Sequence, residues 1–126
     1  MAKHNQTGFW GEQHAANFLK QLGYQILEQN WKYGKAEIDI IAMPPDNERQ
    51  IIVFVEVKTR KSNTFGFPEQ SISKKKQQLL TNAASAYCEQ MQWKNDVRFD
   101  IIAITINEIQ NHNTLHIKDA FFSYDL

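Results

Sequence analysis

The chain has 126 residues, and its 14 lysines and arginines balance its 14 aspartates and glutamates. A hydrophobic fraction of 42% and eight phenylalanines predict a folded globular protein and exclude a disordered one. The zero net charge gives no indication for or against a nucleic-acid partner. At this length we expect a single domain over residues 1–126 with a sizeable core.

Cysteine content and hydropathy bear on the compartment. Cys88 is the single cysteine, so no intramolecular disulfide can form. This favours a reducing, cytoplasmic environment. The first residues do not resemble a signal peptide, and no apolar run approaches membrane length, so we expect no membrane partner.

Periodicity and turn residues predict the element order α-β-β-β-α-β-β. The predicted elements are a helix over 7–22, an extended segment over 24–33, strands over 36–42 and 51–60, a helix from 71 or 73 to 91, a strand over 97–106, and a short strand over 114–117 after an Asn-His-Asn turn. The strands on either side of the Pro-containing loop are expected to form an antiparallel hairpin. The pattern as a whole predicts an α/β fold with a mixed central sheet flanked by helices.

The two strands of this hairpin carry charge where a core strand would be apolar. Glu56 and Lys58 are two residues apart and therefore share a face, since alternate side chains of a strand point the same way. The same alternation places Glu37, Asp39 and Ile41 on one face of the partner strand. Directly paired side chains lie about 5 Å apart at Cβ, so Asp39 and Glu56 are able to share one divalent cation. Carboxylate oxygens suit Mg²⁺ or Mn²⁺, and Lys58 would stabilise developing charge or orient a water.

A Glu-x-Lys pair alone is a weak signal, because salt bridges between alternate residues are common on exposed strands. Two further carboxylates strengthen it. Asp39 lies inside an apolar strand, and Glu12 lies about 60° from Ala15 and about 20° from Leu19 on a helical wheel, close to the stripe that faces the sheet. A favourable acid in the first helical turn explains Glu12 equally well.

Basic residues cluster beside these carboxylates. Residues 56–76 hold six lysines and arginines against two glutamates, a local excess of +4. The six are Lys58, Arg60, Lys61, Lys74, Lys75 and Lys76. Such a patch fits a phosphate backbone, although a solvated loop and helix start account for it without any ligand. Cations are unfavourable in the first turn of a helix, which favours an anionic partner near Lys74–Lys76.

Four segments together resemble the YraN family of bacterial proteins. They are Gly8–Ala16, Glu37–Ile41, Phe54–Arg60 and the helix over 75–84, and the likeness extends over nearly the whole chain. Ala36 stands where the family usually has glycine, which leaves the carboxylates intact.

The YraN family resembles the restriction-endonuclease-like fold with its Asp…Glu-x-Lys signature, and is similar in layout to Holliday-junction resolvases. The resemblance implies a metal-dependent nuclease acting on DNA, branched or single-stranded. It implies Asp39, Glu56 and Lys58 as catalytic residues, and Glu12, Asp39, Glu56 and the Val57 carbonyl as ligands of Mg²⁺ or Mn²⁺. It points to Lys75 most strongly among the phosphate-binding lysines. Junction resolution would require two sites and hence a homodimer.

Two other functions stay open at this point. The fold is compatible with a nucleic-acid-binding module that does not cut, and with a protein-interaction subunit in DNA repair or uptake. The remaining polar candidates are assigned structural or incidental roles. We expect a surface position for His14, an incidental surface pair for His112 and His116, core packing for Trp10, and a structural ion pair between Arg98 and Asp100.

Overall fold

The computed structural model describes residues 6–46, 48–61, 72–107 and 111–121, and these form a five-stranded sheet with one helix on each face. The elements are α1 Gln6–Gln21, β1 Gln25–Tyr33, β2 Ala36–Met43, β3 Ile51–Lys61, α2 Lys74–Met91, β4 Asp96–Ile106 and β5 His112–Phe121. The predicted order is therefore confirmed. None of the helices described is long and apolar enough to span a bilayer.

The strands lie in the order β1-β2-β3-β4-β5. All neighbours are antiparallel except β3 and β4, which are parallel. A parallel pair needs a crossover connection, and α2 lies in that crossover. The mixed sheet and the β2–β3 hairpin were both predicted, and the architecture is consistent with a restriction-endonuclease-like fold.

Strand β3 divides the core into two apolar clusters because its side chains alternate between the faces. Val53, Val55 and Val57 pack with Ala15 and Leu19 of α1. The intervening residues Ile52 and Phe54 pack with Leu80, Ala83 and Tyr87 of α2. We call these two sides of the sheet the α1 face and the α2 face.

Strand β5 is longer than predicted. His112 and Asn113, which were predicted to lie in a turn, pair with Ile106 and Thr105 of β4. The strand lies at the edge of the sheet and much of it is exposed, so its sequence is largely polar and gives a weak strand signal. This longer strand brings His112 against Trp10 and His14, near the start of α1.

Strand β2 does not alternate regularly. Ile40 packs in the α1-face cluster and Ile41 in the α2-face cluster, as alternation requires. Regular alternation would also place Ile38 on the same face as Ile40, but Ile38 packs on the α2 face. The interruption is at Asp39, so the direction of its side chain could not be deduced from its position in the strand.

Candidate metal and phosphate site

Asp39 lies where the two central strands separate. The β2–β3 ladder ends with the pair Ile40–Val55, one residue before Asp39 and Glu56 would face each other. Instead, the backbone amide of Val57 donates a hydrogen bond of 2.7 Å to Asp39 Oδ2. A side-chain oxygen thus takes the role of a strand carbonyl, and it holds this fully buried carboxylate beside β3.

Glu56 is nearly buried and lies on the α2 face between two ammonium groups. Its Oε2 is 3.0 Å from Lys76 Nζ of α2 and 3.7 Å from Lys58 Nζ of its own strand. Only 3% of the glutamate side chain is exposed, against 31% for Lys58 and 36% for Lys76. Burying a carboxylate without a countercharge is costly, and the two lysines offset that cost. The shared face of Glu56 and Lys58 is confirmed.

Glu12 approaches the sheet from the other helix. It is 4% exposed, and its Oε1 accepts a hydrogen bond of 2.8 Å from the Asn30 side-chain amide. Helix α1 begins at Gln6, so Glu12 lies beyond the first turn and the dipole explanation for this acid is excluded. The helix can lie this close to β3 because Gly11 has no side chain: a Cβ there would collide with the Thr59 side chain.

The predicted phosphate-binding residues are distributed around the end of β3 and the start of α2. Lys61, Lys74 and Lys75 are exposed and Arg60 is half-buried. Ser73 caps α2 by accepting a hydrogen bond from the Lys76 amide. The ammonium of Lys76 is paired with Glu56, a partner that the sequence did not reveal. Contact of these basic residues with a phosphate backbone stays a prediction.

The described residues offer few protein ligands for the expected cation. Across the described ranges, no three His, Cys, Asp or Glu side chains are grouped so as to hold a metal ion. Asp39 and Glu56 nevertheless supply hard carboxylate oxygens, and Mg²⁺ commonly takes only one or two protein carboxylates, completing its shell with water and phosphate. The donor chemistry fits Mg²⁺ or Mn²⁺. Coordination by Glu12 and by the Val57 carbonyl stays a prediction.

Sequence reasoning missed an aromatic cluster at the start of α1. Trp10 stacks on His14 with ring centroids 5.1 Å apart, and His112 packs edge-on against both rings. His14 Nε2 also lies 2.9 Å from Thr114 Oγ1. Burial and then repulsion from His112 lower the pKa of His14. Trp10 is 39% exposed rather than part of the core, and His14 is half-buried rather than on the surface. The spacing of Trp10 and His14, i and i+4, was the available signal.

A second polar network is structural. The predicted Arg98–Asp100 ion pair is confirmed at 2.8 Å, and Arg98 also donates to the Tyr24 hydroxyl. His116 Nε2 lies 2.7 Å from Asp100 Oδ2, so His116 is not an incidental surface residue. Burial tends to raise the pKa of Asp100, but the bonds from His116, Arg98 and the Asp119 amide outweigh it and lower that pKa.

The family profile and the similar proteins that match this chain carry the same family name. The profile of the "Uncharacterised protein family UPF0102" matches residues 11–104. A UPF0102 protein from Cytophaga hutchinsonii is 43% identical over 87% of this chain and 94% of its own length. One from Flavobacterium psychrophilum is 43% identical over 98% of this chain and all of its own. One from Clostridium perfringens is 41% identical, covering 96% of this chain and 98% of its own.

Proposed function

This chain belongs to the uncharacterised protein family UPF0102, which is the YraN family, and from that premise we propose that it is a divalent-metal-dependent endonuclease acting on DNA. The observation that supports the proposal best is a pair of buried carboxylates, Asp39 and Glu56, at the point where the two central strands separate. Two buried acids on apolar strands are poor packing residues, and Glu56 lies against two lysines beside a basic surface.

Each residue has a role in this proposal. Asp39 and Glu56 would hold Mg²⁺ or Mn²⁺, with Glu12 and the Val57 carbonyl as predicted further ligands. When bound, the cation supplies Lewis acidity that polarises the scissile phosphate and activates water. Lys58 keeps a positive charge beside Glu56, where it is available to stabilise charge that develops on the phosphate.

The basic residues around the site would bind the substrate backbone. Arg60 and Lys61 extend β3 beyond Lys58, and Lys74 and Lys75 stand exposed at the start of α2. Each such contact releases a condensed counterion from DNA, so binding should weaken steeply with salt. Branched or single-stranded DNA is the proposed substrate class, and cutting both strands of a junction would require a homodimer.

One observation favours a second function. The Lys76–Glu56 ion pair neutralises a proposed metal ligand without any metal ion. A protein that keeps the fold, binds DNA and does not cut would show this arrangement permanently. The two functions differ in whether the binding of a divalent cation displaces Lys76.

Cleavage assays with Mg²⁺ or Mn²⁺ on duplex, single-stranded and four-way-junction DNA test the proposal. We expect Asp39→Asn and Lys58→Ala each to lower the rate about 100-fold or more. Asp96→Asn and Lys35→Ala are matched controls, because both residues are exposed. Activity that survives both site substitutions would refute the catalytic assignment. Tight binding of DNA without cleavage by the wild type would support the non-cleaving module.

A further inference from the structure

The aromatic cluster at the start of α1 borders an open cavity. The cavity has a volume of about 460 Å³ and is lined by Gln6, Thr7, Trp10, Ile106 and His112. We call it the Trp10 pocket. Its volume lies within the range typical of small-molecule sites, and its lining combines an exposed indole with side chains that donate and accept hydrogen bonds.

The rings of this pocket are held in place. His14 lies beneath Trp10 in a near-parallel stack, with 17° between the ring planes. His14 is fixed in turn by Thr114 of β5, and His112 closes one edge of the stack. An aromatic surface that is already ordered loses little entropy when a flat ligand stacks on it. This arrangement suits a planar ligand better than a flexible aliphatic one.

The pocket lies at the end of the sheet that carries the basic residues. Ile106 pairs with Lys61 on one side and His112 on the other. A row across the α1 face is therefore formed by Lys61, Ile106 and His112. Neighbouring strands lie about 5 Å apart, so the backbones of Lys61 and His112 are about 10 Å apart. Lys61 is exposed.

The same row is close to the proposed catalytic residues. Lys58 precedes Lys61 by three residues, which is about 10 Å along a strand. Alternation places Lys58 and Arg60 on the α2 face and Lys61 on the α1 face. A strand of nucleic acid that passes around the end of β3 would meet Arg60, then Lys61, and then the Trp10 pocket.

We propose that the Trp10 pocket binds an unpaired nucleobase by stacking on Trp10, while Lys61 binds a neighbouring phosphate of the same strand. The inference rests on the proposed function, because it takes the ligand to be nucleic acid, and it narrows the substrate to DNA with at least one unpaired base. Every base has a face that can stack, so the pocket selects unpaired structure rather than sequence.

The test measures binding of the full chain in the presence of a metal chelator, so that no cleavage occurs. The probes are a labelled single-stranded oligonucleotide of about 12 nucleotides and a matched strand of abasic residues. The length lies within the site sizes of single-strand-binding domains. Trp10→Ala should weaken binding of the intact strand about 5- to 150-fold and leave the abasic strand unchanged. Trp10→Phe keeps an aromatic face and should retain most of the affinity for the intact strand that Trp10→Ala loses.

Phe9→Ala is the matched control. Phe9 precedes Trp10 in the same helix and is 56% exposed, but it does not line the pocket. A fluorinated-tryptophan NMR spectrum gives a second readout, in which the Trp10 signal should shift with the intact strand and the signals of Trp31 and Trp93 should not.

The outcomes separate this inference from the proposed function. If Lys61→Ala weakens binding but Trp10→Ala does not, DNA binding stands and the pocket inference is overturned. If neither strand binds, the pocket inference is overturned, and the proposed function is decided separately by the cleavage assays on duplex and junction DNA. A nucleoside, which has no phosphate, that binds as tightly as the oligonucleotide would overturn the assignment of the pocket to a strand, because the Lys61 contact would then add nothing.

Discussion

Replacing Lys76 with alanine should have opposite effects on the metal-free and the metal-bound protein. Without a divalent cation, the substitution removes the closer of two positive charges from the buried Glu56 carboxylate. With Mg²⁺ or Mn²⁺ present, the same substitution removes a competitor for that carboxylate. We therefore expect Lys76→Ala to lower the stability of the metal-free protein and to raise its affinity for metal.

The structure bounds the size of the first effect. Breaking a fully buried ion pair costs about 3–5 kcal/mol, whereas exposed pairs contribute at most about 1 kcal/mol. Glu56 is buried but Lys76 is 36% exposed, and Lys58 remains 3.7 Å from the carboxylate. We expect a loss of about 1–2 kcal/mol. For a chain of this length that loss lowers Tm by roughly 4–8 °C.

Thermal unfolding with and without Mn²⁺ measures both effects, and Lys75→Ala is the control because Lys75 is exposed on the same turn. A gain of about 1 kcal/mol in metal binding would lower the Kd of Mn²⁺ about 5-fold. Equal Tm values for the two variants would show that the ion pair contributes nothing to stability. An unchanged Kd would show that Glu56 does not bind the cation.

Three further predictions concern residues that support the fold around the site. Asp39→Ala leaves the buried Val57 amide without its acceptor, and it should lower the free energy of unfolding in denaturant by about 1–3 kcal/mol. Asp39→Asn keeps an acceptor for this amide, and it should instead lose the Mn²⁺-dependent rise in Tm. Gly11→Ala forces a Cβ into Thr59 and should cost about 1–3 kcal/mol, most of it recovered in the double variant with Thr59→Ala. The hydrogen bonds that lower the pKa of Asp100 in the folded protein stabilise the fold at pH values above the pKa of an unfolded aspartate, about 3.9. The stability lost in Asp100→Asn should therefore be greatest near neutral pH and should shrink as the pH falls below about 4.

Each of these three has an outcome that contradicts it. A Mn²⁺-dependent rise in Tm that persists in Asp39→Asn argues against that ligand. No recovery in the double variant places the damage of Gly11→Ala in the helix itself rather than in its contact with Thr59. A stability difference for Asp100→Asn that is constant from pH 7 to pH 3 would mean that the carboxylate does not titrate differently on folding.

The sequence was most informative where local patterns decide the outcome. The order of elements and the end of α2 at Met91 followed from hydrophobic periodicity, which left the start of this helix open between residues 71 and 73. The shared face of Glu56 and Lys58 followed from strand alternation. These features depend on residues a few positions apart, so a pattern along the chain records them.

The features of the site that the sequence did not predict depend on contacts between residues far apart in the chain. The bond from the Val57 amide to Asp39 exists because β2 and β3 separate there, and no spacing along either strand indicates it. Lys76 reaches Glu56 only because α2 crosses the sheet at one particular position. The cluster of Trp10, His14 and His112 required β5 to extend beyond its predicted start, which its polar sequence concealed.

The bond between Asp39 and Val57 also makes one amide proton a reporter of the site. In most of the sheet, an amide exchanges with solvent only when two strands open together. The Val57 amide is instead protected by the Asp39 carboxylate. Binding of a proton or a metal ion to that carboxylate should weaken this hydrogen bond and speed exchange at the Val57 amide, while neighbouring amides in β3 stay protected. Hydrogen exchange followed residue by residue would then record occupancy of Asp39 directly, with no substrate and no turnover.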